Sequence, residues 1–451
     1  MSGQALTLKN RAIRAGGWAL SGFALAQVIR LGGNLLLTRM LFPEAFGLMA
    51  VVYVLMTGLA MFSDLGISQA IIQNRRGDEP DFLNTAWTAQ IVRGILIWLL
   101  AMAFAFLLPL AVSKNWVASG TVYANPLLPW IWGVFSLTAL IQGFESTKIA
   151  LAQRKLKIKA ITQIELLSQV VALVVMIVWA GLYRNIWALV AGAIVAGLVR
   201  CVVGHLWLPG VANKLRWEFD SSKEILHFGK WIFLLSIIGF LVNSGDRIIL
   251  GGFLDPVQMG LYSVAFLLSN AFAELFASML SRIVFPAISE VVRDRPENLA
   301  KVYHRLQMIA DFCLFGAAGF LFAAGTGIVS LLYDHRYHDA GPMLAILALG
   351  LIAGRYAVVY QFCLAMGSMR YLFVTSVIRM AALFAGIPLG FSIAGIEGAV
   401  IAIVASQFAG WPVAMYFKSQ HGLTDWAREL VGLPVFGLAA ILGWGFLQLL
   451  P

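Results

Sequence analysis

Charged residues are scarce in this chain of 451 residues. Asp, Glu, Lys and Arg together make up 12% of it, about half of the ~25% that soluble globular domains carry. Apolar residues make up 60%, and the mean hydropathy is +0.85. A chain in water cannot bury so much apolar surface, whereas a chain that crosses a bilayer many times has no need to. The composition therefore excludes a water-soluble fold and predicts a polytopic membrane protein.

Motifs of catalysis and metal binding are also missing. The sequence has no G-x-x-x-x-G-K-[ST] loop, no H-E-x-x-H and no C-x-x-C, which are signatures of nucleotide, zinc-peptidase and redox sites. Its three cysteines, Cys201, Cys313 and Cys363, stand far apart in apolar runs, as expected of reduced packing residues. We therefore predict no catalytic residue, no metal and no cofactor, and a protein that is not an enzyme.

Apolar runs of membrane-spanning length alternate with short polar loops. A bilayer core of about 30 Å needs about 20 apolar residues in a helix. Thirteen runs reach this length, within a range of twelve to fourteen helices, at residues 15–38, 46–72, 84–110, 125–147, 160–182, 186–207, 227–250, 258–286, 303–333, 342–367, 371–392, 395–418 and 431–450. We predict an all-α membrane protein with two six-helix bundles, 1–210 and 227–420, around a central cavity. Residues 211–226 would form a cytoplasmic linker, and 421–451 an additional transmembrane helix.

The distribution of Lys and Arg tests this count. With the N-terminus in the cytoplasm, 21 of the 32 Lys and Arg residues fall in cytoplasmic segments and four in external ones. Residues 148–159 alone contain five. One helix added or omitted before the middle of the chain would destroy this alternation. The bias predicts a cytoplasmic N-terminus, and it explains the net charge of +10 without nucleic acid as a partner.

A short corner occurs twice in the sequence. Residues 41–48 follow the pattern L-x-P-x-x-x-G-L, and residues 254–261 repeat it 213 residues later. Membrane transporters are often built from two related repeats. The repeated corner therefore predicts two halves of similar fold.

Six charged residues within the predicted spans are candidates for the functional site. Four are arginines expected to bind substrate, and two are aspartates expected to balance charge when the site is empty: Arg30, Arg247, Arg355 and Arg379, and Asp64 and Asp311. A charge facing lipid at the bilayer centre costs about 2.5–3.5 kcal/mol or more, so each should face a partner or a wet cavity. A buried structural ion pair is the alternative, as for Asp246 beside Arg247. For Arg93 and Arg200, snorkelling to the interface is the alternative.

Two stretches resemble the polysaccharide transporter family. The first is P-E-A-F-G-L-M-A-V with F-S-D-L-G-I-S-Q-A-I-I-Q, within residues 43–73. The second combines G-D-R-I-I-L-G at 245–251, M-G-L-Y-S-V-A at 259–265 and F-P-A at 285–287. The resemblance covers most of residues 10–420 and is nearest to the branch that exports colanic-acid-type and similar exopolysaccharide repeat units. Members of this family are flippases for lipid-linked oligosaccharides, within the superfamily that also contains the multidrug and toxin extruders.

The resemblance implies a location and a cargo. It implies alternating access in the bacterial cytoplasmic (inner) membrane, with an undecaprenyl-pyrophosphate-linked oligosaccharide repeat unit as cargo, for exopolysaccharide, capsule or lipopolysaccharide assembly. The partners to expect are membrane lipids and the polysaccharide polymerase or export machinery. Family members usually have fourteen helices, one more than we predict here.

Three other functions are open at this point. A multidrug exporter of the same superfamily would bind a cationic drug through acidic residues such as Asp64 and Glu274, but the deep arginines would repel it. A membrane polymerase or ligase for the same polysaccharide would need a large external loop, and the longest predicted one has about fourteen residues around 111–123. A structural scaffold has no need of arginines in the middle of its spans.

Overall fold

The computed structural model describes residues 8–63, 66–280 and 296–449, together with residues 284, 288, 291 and 292. This described part consists of helices, turns and loops, without a β-strand. The chain divides into two compact units, Met1–Phe240 and Leu241–Pro451. The predicted all-α membrane fold is confirmed, and the domain limits expected at 210 and 227 stay predictions.

The first unit is built from long apolar helices and four short ones of seven or eight residues. They are α1 (Leu8–Met40), α2 (Pro43–Met61), α3 (Ile67–Gln73), α4 (Pro80–Ser113), α5 (Leu128–Phe135), α6 (Leu137–Gly143), α7 (Lys148–Arg154), α8 (Ile158–Tyr183) and α9 (Trp187–Trp207). A 3-10 turn, Val122–Ala124, precedes α5. The long helix α10 (Phe219–Leu250) begins in this unit and continues past its limit.

The second unit continues with helices of similar kind. They are α11 (Pro256–Met279), α12 (Leu299–Leu332), α13 (Ala340–Ala353), α14 (Tyr356–Ala365), α15 (Met369–Phe408), α16 (Trp411–Gln420), α17 (Trp426–Glu429) and α18 (Gly432–Gln448). Two 3-10 turns, Pro296–Asn298 and His335–Tyr337, precede α12 and α13.

Ten helical stretches in the described residues are long and apolar enough to cross a membrane. One of them, Met369–Gln420, has 52 residues, more than twice the about 20 that one crossing needs. Inside it, Ala394 and Gly395 have non-helical dihedral angles, with φ +59° at Gly395. A Cβ on Gly390 would lie 2.3 Å from the carbonyl oxygen of Gly398, so the chain turns back on itself here. This is the boundary that the sequence predicted between two spans.

Other predicted spans are interrupted. The span expected at 46–72 consists of α2, which ends at Met61, and α3, which begins at Ile67. Gly66 precedes α3 with φ +58°, a left-handed conformation that glycine adopts readily. Asp64 lies outside the described residues. Apolar periodicity did not reveal this break because it lies within a continuous apolar run.

The repeated corner has the same local structure in each unit. Pro43 is the first residue of α2 and Pro256 the first of α11. At this position the missing N–H of proline removes no helical hydrogen bond. Leu41 and Leu254 are fully buried, and each backbone N–H donates to the carbonyl four residues earlier at 2.8 Å. The pattern L-x-P-x-x-x-G-L therefore marks a helix end, a tight corner and a new helix in both units.

Candidate functional site

A cavity of about 640 Å³ lies inside the first unit, lined by residues of α2, α3, α4, α5, α6, α8 and α9. Its volume falls within the ~300–1,000 Å³ typical of small-molecule sites. Polar side chains from α2, α4, α6, α9 and the segment after α6 line it: Thr57, Gln90, Arg93, Gln142, Glu145 and Arg200. A cavity with this volume and lining can hold polar groups of a ligand.

Glycine brings two walls of this cavity together. A Cβ on Gly94 of α4 would lie 2.7 Å from the carbonyl oxygen of Ala139 and 3.0 Å from Cα of Gly143. Only glycine permits backbones to approach so closely, and small residues serve this purpose at helix contacts in membranes. The contact between Gly94 and Gly143 therefore fixes α4 against the end of α6.

The chain leaves the helical path after α6, and neighbouring side chains replace its lost hydrogen bonds. Nε2 of Gln90 donates to three carbonyl oxygens of the segment 142–145, at 2.8–3.3 Å. Nε2 of His205 lies 2.9 Å from the carbonyl oxygen of Phe144. Non-helical backbone within a membrane protein persists only where protein groups or cavity water satisfy it. Gln90 and His205 therefore bind the backbone of residues 142–145, where α6 ends, and so position Gln142 and Glu145.

Arg93 lines the same cavity from α4. Its Nη2 donates to the carbonyl oxygen of Ala60 at 2.6 Å, and its Nε donates to Oγ of Ser63 at 3.2 Å. These acceptors stand at the end of α2, where carbonyl groups lack helical partners and the helix dipole is negative. Arg93 thus caps α2 with a positive charge while it borders the cavity.

Arg200 and Glu145 place opposite charges at the cavity wall. Nε of Arg200 lies 3.3 Å from Oε1 of Glu145, and the two side chains are 40% and 16% exposed. The pair belongs to α9 and to the irregular segment after α6. Both donors and acceptors of charge-assisted hydrogen bonds are therefore available to a ligand here.

A smaller polar pocket of about 180 Å³ lies in the second unit. Its polar lining comes from α10, α11 and α15: Asn243, Asp246, Asn270, Arg379, Ser406 and Gln407. The buried carboxylate of Asp246 accepts a hydrogen bond from the Tyr262 hydroxyl and lies 3.6 Å from Nε of Arg247. Arg247 in turn stacks on Phe266, 4.6 Å from the ring centre. Two arginines of the predicted site, Arg247 and Arg379, therefore lie at or beside one pocket.

Four charged side chains of the second unit form what we call the buried ion cluster: Asp311, Arg355, Lys418 and Glu429. Nη2 of Arg355 lies 2.8 Å from Oδ2 of Asp311 and 3.2 Å from Oε2 of Glu429, and Nη1 donates to the Glu429 carbonyl at 3.0 Å. Lys418 binds the other oxygen of Glu429, which also accepts from Gln307 at 3.1 Å. All four side chains are at most 10% exposed, and their charges balance.

The six predicted site residues are thus distributed over several places. Arg379 lines the pocket of the second unit, and Arg247 contacts two residues of its lining, Asp246 and Phe266. Arg355 and Asp311 bind each other in the buried ion cluster, which is the ion-pair alternative weighed for them. Arg30 lies on α1 of the first unit, and Asp64 is outside the described residues. Substrate binding by these residues stays a prediction.

The sequence did not single out the cavity of the first unit. Arg93 and Arg200 were interpreted as residues that could snorkel. Lys418 and Glu429 were not among the candidates, and both are buried. The available signal was the occurrence of Glu145 and Arg200 in separate spans of the same half, but a sequence does not show that two spans are adjacent.

The part of the chain that the structure describes holds no group of three or more His, Cys, Asp and Glu placed to bind a metal ion. The described residues form polar cavities between membrane-spanning helices. The class that the fold and site define is therefore a polytopic membrane transporter.

Solved structures with a similar fold are transporters of the MOP superfamily and a lipid flippase. An inward closed structure of the lipid II flippase MurJ aligns with a TM-score of 0.72, over 95% of this chain and 99% of that one, at 13% identity. An inward-facing multidrug resistance MATE family transporter of the MOP superfamily aligns with a TM-score of 0.66, over 90% and 96%, at 16% identity. At these identities the likeness shows the fold alone.

The chain belongs to the polysaccharide biosynthesis protein family, whose model matches residues 36–342. It is 23% identical to the lipopolysaccharide biosynthesis protein WzxC of Escherichia coli (strain K12), over 97% of this chain and 89% of the relative. It is 22% identical to the succinoglycan biosynthesis transport protein ExoT of Rhizobium meliloti (strain 1021), over 70% and 61%. The resemblance noted in the sequence is confirmed, and with it a transporter of polysaccharide biosynthesis and not an enzyme.

Proposed function

We propose that this protein moves undecaprenyl-pyrophosphate-linked oligosaccharide repeat units across the bacterial cytoplasmic membrane by alternating access, for exopolysaccharide, capsule or lipopolysaccharide assembly. The observation that carries the proposal is the family match over residues 36–342. Relatives named for succinoglycan transport and lipopolysaccharide biosynthesis support this cargo. The fold shared with a lipid II flippase supports a lipid-linked cargo.

The chemistry of such a cargo explains why polar cavities are needed. A pyrophosphate and many sugar hydroxyls must cross about 30 Å of hydrocarbon, and an unpaired charge alone costs tens of kcal/mol there. Arginine binds phosphate through two parallel, charge-assisted hydrogen bonds. In our proposal Arg30, Arg247 and Arg379 bind the pyrophosphate, while the polyprenyl tail remains in lipid.

The remaining predicted residues enter the proposal differently. Asp64 would balance charge when the site is empty. Asp311 already binds Arg355 within the buried ion cluster, so a phosphate could engage Arg355 only by displacing that carboxylate. Substrate binding by Arg355 therefore has the stronger competing explanation, a structural ion pair.

The location and partners follow from the cargo. The N-terminus would be cytoplasmic, as the Lys and Arg bias predicts, and a polysaccharide polymerase or export machinery would receive the translocated unit. A multidrug exporter is less well supported, because its support is similarity of fold at 16% identity, whereas the sequence relatives serve polysaccharide assembly. A polymerase or ligase would need large loops, and in the described part of the chain the connections between long helices are short.

The test is complementation of a strain lacking this protein. The wild-type chain should restore polymer, and the strain without it should accumulate the lipid-linked repeat unit. Arg30→Ala should abolish export at nearly normal protein level, and Arg30→Lys should fall well short of wild type because a point charge cannot reproduce the planar fork. Arg39→Ala, at the end of the same helix, is the matched control. Normal polymer in the deletion strain would refute the proposed function, and normal export by Arg30→Ala would refute the role of Arg30.

A further inference from the structure

The cavity of the first unit has the hydrogen-bonding character of a sugar site. Its lining includes the amide of Gln142, which can donate and accept, and the ion pair of Arg200 with Glu145. The hydroxyl of Thr57 donates to the carbonyl of Tyr53 and can accept from a ligand. A sugar hydroxyl also donates and accepts, so it can bridge an acidic and a basic partner at once. A phosphate oxygen can only accept.

The carboxylate of Glu145 reduces the attraction of this cavity for an anionic ligand, although the lining also carries Arg93 and Arg200. Arg200 has Glu145 at 3.3 Å, so a pyrophosphate approaching Arg200 would also meet a carboxylate. Arg93 donates to the end of α2 through Nε and Nη2. At an effective dielectric constant of ~20, two like charges 4 Å apart repel by about 4 kcal/mol. The lining therefore favours a ligand that carries hydroxyl groups.

Aromatic rings add a surface for the apolar face of a sugar ring. Tyr53 and Phe135 both line the cavity, and their ring centres are 4.8 Å apart with planes at 77°. Tyr53 is 48% exposed, so part of its ring faces open space. A sugar ring has C–H groups on one face and hydroxyls at its edge, and this cavity presents a partner for each.

We infer that the cavity of the first unit binds sugar residues of the cargo's glycan through their hydroxyl groups, and does not bind its pyrophosphate. The inference rests on the proposed function for the identity of the cargo. It assigns the glycan to Gln142, Glu145 and Arg200, residues separate from the arginines proposed for the pyrophosphate. The cavity of about 640 Å³ gives room for a glycan portion of the cargo.

The inference is tested by calorimetric titration of the purified full-length protein with two probes. One probe is the free oligosaccharide repeat unit cleaved from the host's own polysaccharide, and the other is farnesyl pyrophosphate. Ala196→Trp fills the cavity from α9, and Gln142→Ala removes an amide from its wall. Leu198→Trp is the matched control, because Leu198 is on the same helix, is 45% exposed and does not line the cavity.

We expect Ala196→Trp and Gln142→Ala each to weaken oligosaccharide binding at least ~10-fold, which corresponds to about 1.4 kcal/mol. Farnesyl pyrophosphate binding should be unchanged in both, which also shows that the variants are folded. Leu198→Trp should bind both probes like the wild type.

Three results would overturn the inference. They are loss of farnesyl pyrophosphate binding in Ala196→Trp at a normal unfolding temperature, unchanged oligosaccharide binding in both cavity variants, and no oligosaccharide binding by the wild type. If the wild-type chain nevertheless restores polymer in the deletion strain, the inference alone has failed. If it does not restore polymer, the proposed function has failed as well.

Discussion

Two arginine–glutamate pairs occupy very different surroundings in this protein. Arg355 and Glu429 are 7% and 10% exposed and share their cluster with Asp311 and Lys418. Arg200 and Glu145 are 40% and 16% exposed, beside a cavity of about 640 Å³. Protein groups satisfy the hydrogen bonds of the first pair, whereas the second pair borders a cavity with room for a ligand.

The depth of an arginine in a membrane span does not by itself show what the arginine binds. Depth within the span shows that the charge must be satisfied, because lipid cannot solvate it. It does not show whether the partner is a carboxylate of the same protein or a ligand. By sequence, Arg355 lies deeper in its predicted span than Arg200 does. Its guanidinium nevertheless binds the carboxylates of Asp311 and Glu429.

The largest effect on stability is expected at the buried ion cluster. Arg355→Ala leaves the carboxylate of Asp311 buried without its cation and removes one of the two cations that bind Glu429. Such a loss costs about 3–5 kcal/mol. We expect low protein level in the membrane and a much lower unfolding temperature after purification.

The matched control for that variant is Arg428→Ala. Arg428 adjoins Glu429 in sequence, but its pair with Asp425 is exposed, at 54% and 34%, so its loss should change little. Normal abundance of Arg355→Ala together with lost export would contradict the structural role and favour substrate binding by Arg355.

A second effect is expected where glycine holds the cavity wall. Gly94→Ala places a methyl group against the backbone of α6, and such overpacking costs about 2 kcal/mol. The unfolding temperature should fall, less than for Arg355→Ala.

Gly133→Ala serves as its control on α5, where the new methyl would meet only Sδ of Met102 at 3.6 Å. That distance is ordinary contact, so the control should be neutral or slightly stabilising through helix propensity. Equal losses in the two variants would show that the contact of Gly94 with Gly143 has no special role.

A smaller effect on stability is expected for the pair at the cavity. Arg200→Ala should cost at most about 1 kcal/mol, since Arg200 is 40% exposed and exposed ion pairs contribute little. Protein level should stay near normal while polymer export falls, because a ligand partner is lost. A drop in abundance as large as that of Arg355→Ala would remove the distinction between the two pairs.

The smallest effect is expected at an exposed cluster outside the spans. Arg76 lies 2.8 Å from Glu218 and 3.2 Å from Glu224. The hydrogen bond from the Ser221 hydroxyl, together with Arg76, holds the pKa of Glu218 below its usual range. A carboxylate with a lowered pKa stabilises the fold above its unfolded-state pKa, and this contribution is lost as pH falls through the folded-state pKa.

Arg76→Ala should therefore lower the unfolding temperature slightly at neutral pH. The difference from wild type should shrink as the pH falls below the ordinary glutamate pKa of about 4.3. Unfolding temperatures of both proteins across this pH range give the measurement, with Arg75→Ala as the exposed neighbouring control. A difference that grows as the pH falls would contradict the assignment to Glu218.

The sequence by itself determined the class of fold and the family. Low charge and long apolar runs permit only a membrane protein, because backbone and side chains must match the solvent around them. The helix boundaries at Pro43, Pro256 and Gly395 were also readable, since proline and glycine act on the local backbone. The family resemblance in residues 43–73 and 245–287 was confirmed by the match over residues 36–342.

Only the tertiary structure decided which charges meet. Arg355 is separated from Asp311 by 44 residues and from Glu429 by 74, and Arg200 from Glu145 by 55 residues of sequence. Nothing local in a helix specifies which of several apolar neighbours it will pack against, because apolar surfaces attract without direction. Helix packing therefore decides whether an arginine in a span binds a carboxylate or faces a cavity. It does so through contacts as close as that of Gly94 with Gly143.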